Sequence, residues 1–324
     1  RAYRARPRRS CTPVTVPLAL IRNDDQSAHA SPGHPERPDR VVAILEGIAA
    51  DDGLAALPWL DAPTGRRTLP RMVHTEDEVR RVEGLAVKGG GWFDPDTYCT
   101  EDSYVVALNA AACAARAAEA VMQGETRSAF AVVRPPGHHA TADLPMGFCL
   151  FNNAAIAVRA AQNTGAARVA IVDIDVHHGN GSQDIFYADP SVLYASLHQF
   201  PWYPGTGHAS DRGDPGASGT TVNVPVPPGT SGGRWLELFD SVVLPEVTAF
   251  EPELVVVSAG FDAHRDDPLA ELRLEDETYT AIAERVRTLA DKHCEGRSIW
   301  LLEGGYDLRA IAASVAGCLH VLVA

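Results

Sequence analysis

Nowhere in these 324 residues do about 18 apolar side chains follow one another without interruption, so no segment reads as a membrane span. Cysteine is sparse and scattered: Cys11, Cys99, Cys113, Cys149, Cys294 and Cys318 include no C-x-x-C pair. That argues against a disulfide framework and for a reducing, cytoplasmic setting. Positive charge is short as well. Twenty-eight Lys and Arg stand against 42 Asp and Glu, a formal net charge of −14. Such a surface repels nucleic acid and favours cationic small molecules or lysine-bearing peptides. No repeat or low-complexity linker divides the chain. The basic start, RAYRARPRRS, is not followed by an apolar stretch of signal-peptide length. Residues 1–15 are therefore read as a disordered tail or cloning remnant, and 16–324 as one domain.

What is present is alternation. Short β-branched runs are predicted as strands over 16–21, 128–133, 168–174, 191–197, 253–259 and 298–303. Between and around them, Ala-rich or amphipathic stretches predict helices over 37–50, 104–124, 154–165 and 278–293. This pattern belongs to an α/β fold with a parallel sheet. Four of the strands are followed by RPPGHH, DIDVHHGNG, GFDAHRDDP and EGGYD. Ligands of parallel α/β sheets collect beyond the carboxyl ends of the strands. Four such tips predict one site.

In IVDIDVHHGNG (171–181), extended backbone puts Asp173, Asp175 and His177 on one face and Val172, Ile174 and Val176 on the other. An Asp-x-His pair on one face can supply an oxygen and a nitrogen to a metal. A catalytic zinc takes three protein ligands and keeps one position open. Asp262, directly after an apolar run, is the candidate third ligand. His264, Asp266 and Asp267 are its rivals, further from the strand's end.

RPPGHH (134–139) places tandem imidazoles, His138 and His139, behind a rigid Pro-Pro-Gly lead-in. Histidine suits proton transfer near neutral pH, and each ring needs a partner on its other nitrogen. Asp173 and Asn180 are the natural ones. In EGGYDL (303–308), the paired glycines allow close backbone approach or positive φ. They put the Tyr306 hydroxyl where a donor meets a developing oxyanion.

Taken together, RPPGHH, MGFCLFNNAAIA, DIDVHHGNGSQDIFY and PGTG, in this order from about SPGHPERPDR (31–40) to EGGYDLRAIAASVAG (303–317), resemble the zinc-dependent histone deacetylase superfamily. That superfamily also holds acetylpolyamine amidohydrolases and bacterial deacetylase-like amidohydrolases. The resemblance implies a three-layer α/β/α arginase-deacetylase fold around an eight-stranded parallel sheet. It implies zinc, or iron(II), on Asp175, His177 and Asp262. His139 would be general base and acid, His138 an electrostatic assistant through Asp173, and Tyr306 the oxyanion donor. A structural K+ or Na+ would sit at Asp173 with backbone oxygens near Asp175, His177, Ser196 and Leu197. Gly147 and Phe148 would line the acyl-lysine tunnel opposite Tyr203, with Asp94 or Asp96 as the rim carboxylate.

The spellings lean toward class II: Asn180 stands where class I members carry Asp, and Tyr203 where Phe is common. Leu269 occupies the place of the glutamate that makes class IIb members polyamine-selective, which argues against that route. The expected reaction is metal-dependent hydrolysis of an acylated lysine or acylated polyamine to acetate and free amine. The rivals are a small-molecule amidohydrolase, a binuclear ureohydrolase suggested by DAHRD, and a non-catalytic acyl-lysine binder. A homo-oligomer is compatible with the sequence; no nucleic-acid or membrane partner is expected.

Overall fold

All six predicted runs form strands, and their ends agree with the expectation to within two residues. The computed structural model describes residues 16–324, so the basic start and Cys11 lie outside the described residues. The strands are β1 Leu18–Arg22, β2 Gly91–Trp92, β3 Tyr98–Cys99, β4 Ser128–Val132, β5 Val169–Asp173, β6 Val192–Gln199, β7 Thr221–Val226, β8 Leu254–Ala259 and β9 Ser298–Leu302. The main helices are α1 Asp39–Ala49, α2 Asp52–Ala55, α3 Glu76–Val87, α4 Ser103–Gln123, α5 Asn153–Thr164, α6 Asn180–Phe186, α7 Gly232–Leu238, α8 Leu244–Phe250, α9 Asp276–His293 and α10 Leu308–Val323.

Seven strands pair in parallel in the order β1-β4-β9-β8-β5-β6-β7, while β2 and β3 form a separate antiparallel pair. The expected eight-stranded sheet is thus corrected to seven among the described residues. The outer margin of β1 shows why. There Trp59 makes a single parallel bridge to Leu20, through Leu20 N–H to the Pro58 carbonyl (2.9 Å) and Leu60 N–H to the Leu20 carbonyl (2.7 Å). Pro58 and Pro63 bracket this segment, and proline cannot donate to a ladder. The eighth strand is reduced to one bridge. At the other margin lies β7, which sequence pattern did not flag and which carries Pro225, a residue tolerated in edge strands.

Side-chain alternation splits the interior into two cores. Phe130, Val172, Val257 and Trp300 face α1, α9 and α10 on one side of the sheet. Ala129, Ala131, Ile171 and Val256 face α3, α4 and α5 on the other. Small Ala side chains of β4 meet Ala-rich helices, while Phe130 and Trp300 stack at 6.4 Å on the opposite face. Helix α4 is long and apolar enough to cross a membrane by length and composition, with mean hydropathy 1.4. A search for unbroken runs passes over it because Asn109, Arg116 and Glu119 interrupt it. Most of it is buried, packed on α5 and β4.

The sideways course of the strand connections reverses between the parallel neighbours β8 and β5: β5 crosses over to β6 on one side, and β8 to β9 on the other. Such a switch point opens a crevice at the carboxyl ends of the strands. All four polar tips follow strands in the contiguous block β4-β9-β8-β5.

A buried ionic cluster fixes two of these tips. Glu36 is fully buried between the guanidiniums of Arg134, which opens RPPGHH, and Arg40 on α1. Arg40 donates through Nε to the Gly305 carbonyl (2.6 Å) and also to the Glu303 carbonyl. Burial alone would raise the Glu36 pKa, but the charges of Arg134 and Arg40 outweigh it and hold it at about 2, down from 4.5. A depressed carboxylate contributes stability above its unfolded pKa, lost as pH falls through the folded one. The Glu36 contribution should therefore be complete above pH 4.5 and fade toward pH 2. Removing one partner of a buried ion pair costs about 3–5 kcal/mol. Glu36→Ala should lower unfolding stability at pH 7 by that amount, read from urea titrations.

Candidate active site

Strand β5 ends at Asp173, and the chain beyond it carries Asp175 and His177 to the switch point; β8 carries Asp262 to meet them. Asp175 Oδ1 and Asp262 Oδ2 lie 3.1 and 3.2 Å from His177 Nδ1. Ligands held at about 2.0–2.1 Å in a tetrahedral shell stand about 3.3 Å apart, so both carboxylate–imidazole distances match that spacing, and the three ligand atoms lie within 4.8 Å of one another. The other oxygen of each carboxylate is tied to backbone. Gly304 N–H donates to Asp175 Oδ2 and Val176 N–H to Asp262 Oδ1, both at 2.8 Å. Each carboxylate therefore turns one oxygen toward a shared point. Among the described residues no Lys or Arg pairs with either. Burial alone would lower the His177 pKa, yet hydrogen bonds to Asp175 and Asp262 push it up to about 10. Burial and the Asp175 charge push Asp262 up to about 6. The triad attracts positive charge, and a divalent ion fits its donors and spacing.

Beside it lie the two imidazoles, ring centroids 4.0 Å apart. His138 Nδ1 donates to Asp173 Oδ2 at 3.0 Å, and its Nε2 is 3.8 Å from Asp175 Oδ1. Burial opposes protonation, but the charges of Asp175 and Asp173 prevail and raise the His138 pKa well above its usual value. His139 shifts the other way. Burial, then the charges of His138 and His177, lower it well below. His139 Nδ1 meets Asn180 Oδ1 at 2.8 Å. The Asn180 nitrogen turns to the His139 carbonyl and Met146 Sδ, so its oxygen faces the ring. Nδ1 thus carries the proton, and Nε2 is left as an acceptor with no hydrogen-bond partner among the described residues. Two neighbouring imidazoles are poised in opposite protonation states.

Both open onto a cavity of about 260 Å³ lined by Asp96, Pro136, His138, His139, Gly147, Phe148, His177, Trp202, Tyr203, Leu269, Gly304 and Tyr306. The Tyr203 ring stands 5.2 Å from His139 and 6.1 Å from His177, centroid to centroid. The Phe148 ring meets Tyr306 edge-on at 5.9 Å.

The histone deacetylase domain model matches residues 34–322. The chain belongs to the histone deacetylase family. It is 42% identical over 283 residues to a probable deacetylase of Archaeoglobus fulgidus, covering 86% of this chain and 78% of that protein. A histone deacetylase-like amidohydrolase of Pseudomonas aeruginosa is 39% identical, with coverages of 86% and 74%. Histone deacetylase 15 of Arabidopsis thaliana is 41% identical over 97% of this chain, which spans 57% of that protein. The crystal structure of the HDA15 HD domain matches with TM-score 0.91 at 40% identity, covering 94% of this chain and 88% of that one.

Within this deacetylase-family site, Asp94 and Asp96 part ways. Asp94 accepts the N–H groups of Asp96 (3.0 Å) and Thr97 (2.6 Å) and the Thr97 hydroxyl, so it shapes its own loop. Of the two candidates for the rim carboxylate, Asp96 lines the cavity and Asp94 does not. The rivals for third ligand are occupied elsewhere. His264 faces Asp276, Asp266 pairs with Arg309, and Asp267 accepts the Tyr306 N–H at 2.6 Å. Asp173 sits opposite Ser196 in the ladder and accepts the Asp175 N–H and the Tyr194 hydroxyl. The Ser196 hydroxyl turns to His198, and Leu197 is buried in the core.

Sequence reasoning missed Glu303. It is fully buried, and its Oε2 accepts the N–H groups of Gly137 (2.6 Å) and His138 (3.1 Å), fixing the approach of the imidazole pair. A Glu ahead of Gly-Gly looks like turn surface; only its lone place behind an apolar strand signals burial. Arg40 was missed too: its guanidinium lies 4.8 Å over the Tyr306 ring.

The Gly-Gly pair is explained by distance. A Cβ on Gly304 would stand 2.1 Å from Asp262 Oδ2 and 2.6 Å from Asp175 Oδ2, and Gly305 holds φ +119°. Gly304→Ala should thus abolish metal retention, measured by elemental analysis after dialysis, while circular dichroism stays unchanged. Glu303→Gln keeps an acceptor for the two N–H groups and should retain far more turnover than Glu303→Ala.

Proposed function

We propose that the chain hydrolyses acylated amines, foremost an Nε-acetyl-lysine-type amide, with zinc or iron(II) held by Asp175, His177 and Asp262. One juxtaposition carries the reading: His177, the member of this triad that lines the cavity, shares it with a neutral His139 whose Nε2 has no hydrogen-bond partner among the described residues. A divalent ion there supplies Lewis acidity toward the amide carbonyl and toward water. His139 takes the proton of the attacking water on Nε2 and returns it to the departing amine, while Asn180 keeps the tautomer correct. His138, ionised against Asp173, places positive charge beside the reacting centre. The Tyr306 hydroxyl donates to the oxyanion. Gly147, Phe148, Tyr203 and Leu269 wall the channel, and Asp96 at its mouth accepts a substrate N–H or amine. Asp173 and the backbone oxygens of Asp175, His177, Ser196 and Leu197 would hold a structural K+ or Na+.

A second reading, acylated polyamines, is favoured by the Asp96 carboxylate in the cavity lining and the net charge of −14. Leu269 in place of a carboxylate weighs against it. A binuclear ureohydrolase would need a second ligand set, and the described residues bring one triad together. The described cysteines are buried thiols, in keeping with a reducing cytoplasm. The test is a turnover screen of metal-replete protein on acetyl-lysine peptides, acetylputrescine, acetylspermidine and longer acyl-lysines. Acetyl-lysine turnover supports the reading; turnover of polyamines alone selects the second. Losing an oxyanion donor costs roughly 10²–10³ in kcat, so Tyr306→Phe should slow turnover by that factor with metal content unchanged.

A further inference from the structure

PGTG (204–207) and the second histidine of HHGNG do nothing in the reaction as read above, yet they meet in a buried polar network. His178 and His198 are each about 1% exposed or less, with rings 4.7 Å apart. The Gln183 side-chain oxygen accepts from Asn223 Nδ2 at 2.7 Å and lies 3.0 Å from His178 Nε2. An amide oxygen only accepts, so the His178 proton is on Nε2. Its Nδ1 is therefore an acceptor, and the Thr206 hydroxyl donates to it at 2.8 Å. His198 follows the same logic. Its Nε2 donates to the Gly207 carbonyl and its Nδ1 accepts from the Ser196 hydroxyl, both at 2.9 Å. The Gly207 backbone packs flush on both rings; a Cβ there would stand 2.4 Å from His198 Nε2 and 2.7 Å from His178 Cγ.

The loop gripped this way, residues 200–207, carries Trp202 and Tyr203 into the cavity wall. On its other side His178 is continuous with the chemistry. It follows the ligand His177, and its carbonyl accepts the N–H of Asn180, the partner of His139, at 2.8 Å. One side chain thus joins the wall that faces the acyl group to the segment that holds metal and base. We propose that His178 and Thr206 are positioning residues that set the gap between Tyr203 and this segment, and so decide which acyl sizes the channel accepts.

The inference rests on the deacylase reading and specifies its selectivity. Thr206→Val keeps the shape and removes the donor; Thr206→Ser keeps the donor. In metal-replete protein, Thr206→Val should leave metal content unchanged and speed amide exchange across 200–207 by about tenfold, the worth of one hydrogen bond. The KM for acetyl-lysine peptide should rise by a similar factor with kcat little changed, and the preference for butyryl- or hexanoyl-lysine over acetyl-lysine should increase. Thr206→Ser should restore all of these. Unchanged exchange in the loop overturns the proposal, and so does a loss of equal size for every acyl length. If the unaltered protein deacylates none of these lysines, the function reading fails, and the exchange result still decides whether Thr206 holds the loop.

Discussion

Two buried carboxylates converge on one imidazole nitrogen, and the surrounding structure answers to the cost of that arrangement. Unpaired buried charge is unstable, so each carboxylate has one oxygen bound by backbone N–H and the other aimed at His177. The parallel sheet makes this possible. Its switch point lies between β8 and β5, the two strands that lead into Asp262 and into Asp175 and His177. The remaining tips are held by charges of opposite sign: Arg40 grips the carbonyls of Glu303 and Gly305, while Glu36 bridges Arg40 to Arg134 at the start of the imidazole loop.

The imidazole pair shows environment doing what residue type cannot. His138 and His139 are neighbours in sequence, and one faces a carboxylate while the other faces a neutral amide. Opposite environments thus drive the pKa values of two adjacent imidazoles in opposite directions. Asn180 matters through its neutrality: it fixes a tautomer without drawing a second charge into an already crowded centre.

Much of this was legible in the chain. Strand-end motifs stand out because Asp, His and Gly after a β-branched run have few other uses. Asp175, His177 and Asp262 could be picked out that way, and the structure brings them together. Loop detail was not legible. Asp94 and Asp96 are two positions apart, and only the loop's own hydrogen bonds show which one turns inward. Glu303, Glu36 and Arg40 received no role from the sequence because their partners are up to 265 residues away in it. The missing eighth strand reflects Pro58 and Pro63, whose effect on an edge depends on a neighbour that the sequence does not name.

Those prolines, with Pro225 at the far border, also bear on what the two margins of the sheet present to solvent. On the outer side of β1 only Leu20 has its backbone groups occupied, and Trp59 lies across that flank. At β7 the imide of Pro225 interrupts the row of amide donors. Neither border offers an unbroken ribbon onto which a second sheet could zip. Strand addition is thereby disfavoured at both margins of the sheet.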